Sequence, residues 1–262
     1  MGATGFRHRE GVPMRRLAPV LAFAAGLATL PALAQDAEMS AEDKLALHAE
    51  IRAYLLEHPE VLVEAMNVLQ TREDQAAAQR DLAMLSDNAD VIFQNPNDWV
   101  GGNPDGDVVL VEFMDYRCGY CRKAYSEVEE LVNSDGNIRL VIKEFPILGE
   151  ASLLSSQFAI AVRQLHGDAA YESVHDALID LRGEPTADTL ARLATDLKLD
   201  PQPILDRMSG PEVQAVIKEN HALADTMEIS GTPTFVLKSM MLRGYLPLEE
   251  MRKVVAETRA DG

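Results

Sequence analysis

Apolar residues in the first third of the chain fall at helical intervals, and continuous apolar runs appear only later. From Ser40 the spacing predicts a helix with Ser40 as N-cap, Glu42 and Asp43 in its first turn, and Leu45, Ile51, Leu55 and Leu56 within it. His58-Pro59 ends it, because the residue before a proline avoids the helical region. Pro59 opens a second helix to about Leu85, with Leu62, Met66, Leu69, Ala76 and Ala83 at four-three spacing. Glu73 and Arg80 break this seam, which falls short of the roughly three to four heptads that a sustained coiled coil needs.

Past Asn88 the pattern changes. Val91-Ile92-Phe93 reads as a short strand, Asn95-Pro96-Asn97-Asp98 as a turn, and the glycine-rich stretch 101–107 as further turn chemistry. Val108 to Met114 is a nearly continuous apolar run, the signature of a strand covered on both faces, interrupted by Glu112. Arg122 to Val132 has helical spacing, residues 133–137 turn the chain, and Ile138 to Lys143 is a further strand. Strand, helix and strand in that order predict a right-handed parallel crossover. Ala151 to Met227 reads as helical throughout, with Thr186 as a cap and Pro201 and Pro211 opening helices. Thr234 to Lys238 and Met240 to Arg243 then form a hairpin, and Pro247 opens a final helix carrying Met251, Val254 and Val255.

The net charge of −18 over 262 residues disfavours nucleic acid as a partner and a non-specific hold on anionic lipid. An address precedes the helices. Arg15 and Arg16 lead into the apolar stretch Leu17 to Leu30, and Ala32-Leu33-Ala34 supplies a small-residue cleavage site. Residues 1–34 thus read as a signal peptide cleaved after Ala34, with Met14 as an alternative start. No second run of membrane length follows, so the expectation is a periplasmic protein without stable membrane insertion, in a compartment where disulfides persist.

The only thiols are in Cys118-Gly119-Tyr120-Cys121, between a strand-like and a helix-like run. Such a pair suits dithiol redox chemistry: at a helix N-terminus, free N–H groups and the helix dipole favour a thiolate at Cys118. Cys121, one turn further in, can then attack a mixed disulfide formed at Cys118. Structural zinc needs four ligands, whereas a second cysteine pair is missing and the six histidines are scattered. A structural disulfide across a two-residue spacer closes too small a loop to stabilise much. No metal or other cofactor is called for; copper(I) held by the same two thiolates stays as the alternative, with Met240 and Met241 as candidate thioethers.

Three separated stretches, Val111–Cys121, Gly231-Thr232-Pro233-Thr234-Phe235 and Leu242-Arg243-Gly244-Tyr245, resemble the DsbA-type branch of the thioredoxin superfamily. The N-terminal stretch Ile51–Val61 is similar to the oligomerising arm of its ScsC-like members. The resemblance implies an α/β protein: a thioredoxin fold over 88–262, an all-helical domain inserted at about 151–227, and a helical arm over 35–87. It implies a protein-disulfide oxidoreductase with Cys118 attacking and Cys121 resolving. Gly119 and Tyr120 would tune the potential and, with Thr232, bind substrate; Pro233 would be cis, presenting the Thr232 backbone to an extended substrate. Glu112 matches the buried acid that takes the proton of Cys121, with Lys143 as its candidate charge partner. Asp115, Arg117, Arg122 and Lys123 would only shape the local field.

Partners would be unfolded or mispaired exported proteins and a membrane redox relay. Val61, Leu62, Ala65, Met66 and Leu69 offer a face for homo-oligomerisation through residues 40–87. Tyr120 and Thr232 resemble isomerase members more than strong oxidants, so isomerase or reductase is favoured over oxidase.

Overall fold

The computed structural model describes residues 39–260. They divide into two compact units, one ending at Val61 and one running from Leu62. In the first unit, α1 (Ala41–Glu57) is capped as expected: Ser40 Oγ accepts the Asp43 N–H at 3.1 Å. None of its residues is buried, and Leu45, Ile51, Tyr54 and Leu56 are all exposed.

The division falls inside α2 (Glu60–Asp87), ahead of the boundary near Asn88 that the sequence suggests. The reason lies at the helix's C-terminal end, where Leu85 is buried in the core of the second unit. Asp81, a turn earlier, takes a two-pronged ion pair from Arg243 at 2.8 and 2.9 Å.

Residues 91–93, expected as a strand, lie instead in a short helix, α3 (Ala89–Phe93). Three β-formers have no partner strand there, and the helical turn lets Ile92 reach the core while Asn88 ties back to the Met84 carbonyl at 2.8 Å. The strand missed from sequence is β1 (Trp99–Gly102), hidden by its own glycines. A Cβ at Gly101 would lie 2.1 Å from the Trp99 ring, and Gly102 takes φ +67° with the Ile138 carbonyl oxygen 2.5 Å from where its Cβ would be.

β2 (Val108–Met114), α4 (Gly119–Asp135) and β3 (Ile138–Glu144) form the expected parallel unit. Five helices follow: α5 (Glu150–His166), α6 (Asp168–Asp180), α7 (Ala187–Asp196), α8 (Pro201–Met208) and α9 (Pro211–Thr226). They separate β3 from the hairpin of β4 (Thr234–Leu237) and β5 (Met240–Arg243), and α10 (Leu248–Ala260) closes the chain's described part. The sheet order is β1-β3-β2-β4-β5, with only β2 and β3 parallel.

The central strands are buried on both faces, which explains their unbroken apolar text. Val108, Leu110 and Met114 share one core with Ile138, Leu140 and Ile142 and with α4, α5, α6 and α10. Val111, Phe113 and Val141 face the other, against Leu85, Ile92, Leu223 and Met227.

Candidate redox site

The site is assembled where β2 stops. Asp115 is wholly buried and holds the connecting loop: Oδ1 accepts the Arg117 N–H at 2.7 Å, and Oδ2 accepts those of Ile147 and Leu148 at 2.8 and 3.1 Å. Its own carbonyl accepts the Cys118 N–H at 3.0 Å. Asp115 is therefore a staple for the loop rather than a contributor to the field alone. Arg122 is also structural, donating to the Tyr116 and Leu181 carbonyls at 2.8 and 3.0 Å.

Cys118 is the N-cap of α4, and its sulfur accepts the Cys121 N–H at 3.4 Å. Both cysteines are free thiols, with 7% of Cys118 exposed against 1% of Cys121. Foremost the hydrogen bond from Cys121, and then those from the Thr232 side chain and the Cys121 and Tyr120 backbone, hold the Cys118 thiol down at about 5 against the opposing effect of burial. The same bond to Cys118, then burial and the charge of Glu112, push the Cys121 thiol far up. The two environments differ in sign: one favours the thiolate at Cys118, the other the protonated thiol at Cys121.

Across from the motif, the Thr232–Pro233 peptide bond is cis. The Thr232 carbonyl oxygen lies 3.2 Å from Cys118 Sγ, so the loop before β4 and the first turn of α4 meet at this sulfur. The Gly244 N–H donates to the Pro233 carbonyl at 2.9 Å, which anchors the loop to the strand beside it.

Glu112 is buried on β2, and burial followed by the negative charge of Cys118 raises its carboxyl to about 8. Its expected partner, Lys143, is elsewhere. Register pairs Glu112 with Ile142 and Phe113 with Lys143, so strand alternation sends Glu112 and Lys143 to opposite faces. The Lys143 ammonium, fully buried, instead pairs with Asp98 and donates to the Val91 carbonyl at 2.9 Å.

Sequence reasoning missed a buried polar cluster at the end of β3. Glu144 accepts hydrogen bonds from Tyr116 (2.8 Å), Tyr171 (2.6 Å) and Ser156 (2.7 Å). The Tyr116 hydroxyl also lies 2.9 Å from His175 Nδ1. Burial raises Glu144 to about 7 and lowers His175 to about 4. The cluster ties Tyr116, two residues before Cys118, to α5 and α6. Its hydrogen-bonded pairs are 12 to 59 residues apart in sequence, so only a charged residue closing an apolar strand hinted at it.

Fold and site together define a thioredoxin-fold protein with a paired-cysteine centre at a helix N-terminus. The chain belongs to the thioredoxin family, in its DsbA-type form with helices inserted between the halves of the fold; the family model described as Thioredoxin matches residues 94–257. A second model, described as the copper resistance protein ScsC N-terminal domain, matches residues 43–76. A thioredoxin-like oxidoreductase from Silicibacter pomeroyi is 40% identical, with a TM-score of 0.62 over 65% of this chain and 97% of that one. The thiol-disulfide exchange protein alpha-DsbA2 from Wolbachia pipientis is 26% identical, with a TM-score of 0.64 over 70% and 97%. The Na(+)/H(+) antiporter NhaA 1 of Salinispora arenicola is 29% identical over 164 residues, 62% of this chain. This chain spans about a quarter of that antiporter's length. Residues 1–34, read as a signal peptide, lie outside the described residues; among the described residues, no helix is long and apolar enough to cross a membrane.

Proposed function

We propose that the protein is an exported thiol:disulfide oxidoreductase of the periplasm, acting on unfolded or mispaired exported proteins through Cys118 and Cys121. The observation that carries this reading is the Cys118 sulfur: a helix-capping thiol held at about 5, beside the Thr232 carbonyl. The Cys118 thiolate attacks one sulfur of a substrate disulfide. That S–S bond breaks, a Cys118–substrate disulfide forms, and the second substrate sulfur leaves as thiolate. Cys121 then loses its proton to Glu112 and attacks Cys118, releasing the substrate thiolate and leaving the Cys118–Cys121 disulfide for a membrane relay to reduce with two electrons. In isomerisation, a substrate thiolate attacks the mixed disulfide first.

The causes of the pKa shifts support this order of events. While Cys118 is a thiolate, its charge raises Glu112, and its acceptor bond raises Cys121. A mixed disulfide removes that charge, so Glu112 ionises more readily just when Cys121 must deliver a proton. Glu112→Gln is expected to slow the resolving step by about a hundredfold, with Cys118 alkylation little changed. Quench-flow decay of a preformed mixed disulfide measures it; wild-type decay would remove Glu112 from the mechanism.

Isomerase or reductase direction is favoured over oxidase by the Tyr120 and Thr232 analogies. A thiolate at about 5 stabilises the reduced form more than a thiol titrating near 7 does, so the potential is expected between about −270 mV and about −120 mV. Equilibration in graded glutathione buffers tests this. A value near −120 mV would make the protein a disulfide donor; one near −270 mV would make it a reductase. Homo-oligomerisation through residues 40–87 is part of the reading, supported by the exposed Leu45, Leu56, Leu62 and Met66. The copper alternative has two thiolates to offer, and no group of three or more His, Cys, Asp or Glu that could hold a metal stands among the described residues.

A further inference from the structure

Three residues of one α4 face, Tyr120, Lys123 and Glu127, converge on a single ring, that of Tyr245 in the loop after β5. Their spacing of three and four places them in a stripe along the helix. The Tyr245 hydroxyl donates to Glu127, at 2.8 and 3.0 Å from its two carboxylate oxygens, and Glu127 also accepts the Leu248 N–H at 2.9 Å. Lys123 Nζ sits 4.0 Å from the centre of the Tyr245 ring. Tyr120 stacks on it, with centroids 6.2 Å apart and planes inclined by 29°. Yet 63% of Tyr120 is exposed, two residues after the attacking sulfur.

Nothing in the core requires this exposed ring. One face is already ordered against Tyr245, so a ligand that stacks on the other pays little to immobilise it. An extended segment whose cysteine reaches Cys118 places its neighbouring residue about 3.8 Å further along the chain, within side-chain reach of Tyr120. We propose that the Tyr245–Glu127 anchor makes Tyr120 a stacking platform that selects substrate segments carrying an aromatic side chain beside the cysteine. This inference rests on the exchange activity proposed above. Tyr245 acts in it as a positioning residue, through Tyr120.

The test uses the reduced protein and three sets of short synthetic peptides, each peptide holding one cysteine as a mixed disulfide with glutathione. The cysteine is flanked, on either side in turn, by tryptophan, leucine or alanine. Rates of peptide release are read by acid quench. Wild type is expected to react about two- to tenfold faster with a tryptophan-flanked peptide than with its alanine counterpart, and leucine should fall near alanine. Tyr245→Ala should bring the tryptophan-to-alanine ratio close to one, while Tyr245→Phe, which keeps the ring and loses the Glu127 anchor, should restore part of it. A wild-type ratio near one, equal preference for leucine, or a ratio retained in Tyr245→Ala would each overturn the proposal. Failure of wild type to react with any peptide would overturn the exchange activity itself.

Discussion

Cys118→Ser is expected to lower thiol–disulfide exchange by at least about a thousandfold while leaving the fold intact, measured as reduction of a model disulfide peptide. The hydroxyl that replaces the thiol stays protonated at neutral pH and is no nucleophile toward sulfur, whereas the native thiol is ionised above about 5. The sign of the pH dependence follows. Because the Cys118 pKa is lowered, the reactive thiolate is lost as pH falls through about 5, so wild-type alkylation by iodoacetamide should rise with pH around that midpoint and level off above it. Cys121, covered and with its thiol raised, should stay unmodified over the same range. A Cys118→Ser protein with appreciable activity, or an alkylation midpoint near 8.5, would remove the basis for the proposed function.

Lys143→Met is expected to cost about 3–5 kcal/mol of stability, read from urea unfolding, because it strands the Asp98 carboxylate in the core. Asp98 already stands at about 6, since its burial outweighs the attraction of Lys143, and its Oδ1 has no hydrogen-bond partner. Removing the ammonium raises it further. A buried carboxyl with a raised pKa binds its proton more readily in the folded state, so stability falls as pH rises from the unfolded value through the folded one. The variant's deficit should therefore be larger at pH 8 than at pH 5. Lys143→Met/Asp98→Leu should recover most of the loss, because a well-packed apolar pair replaces a costly ionic one. A single-variant loss below about 1 kcal/mol would mean that water reaches Asp98.

This pair was half legible in the sequence. Lys143 stood out as a charge closing an apolar strand, and Glu112 as a charge within one, so joining them was the economical reading. Strand register separates them onto opposite faces, and the true partner, Asp98, lies 45 residues upstream in what reads as an ordinary turn. The same limit hid β1, whose glycines read as turn chemistry because the strand they pair with, β3, and the Ile138 carbonyl packed against Gly102 come much later in the chain. It turned Val91-Ile92-Phe93 into an expected strand, because three residues carry too little period to tell a helical turn from an extended one.

What the sequence determined by itself were the features set by neighbours within a few residues. These were the helix caps, the doubly buried strand, the dithiol at a helix start, and the order of elements from β2 onward, with the run of helices between β3 and β4. The tertiary structure alone decided which distant groups meet. Thr232 against Cys118, Asp98 against Lys143, Glu144 against Tyr116 and Tyr171, and Tyr245 against Tyr120 are contacts across 27 to 125 residues. Local propensity acts over one or two turns of chain, whereas burial, register and the electrostatics that shift a pKa exist only once remote segments are packed together.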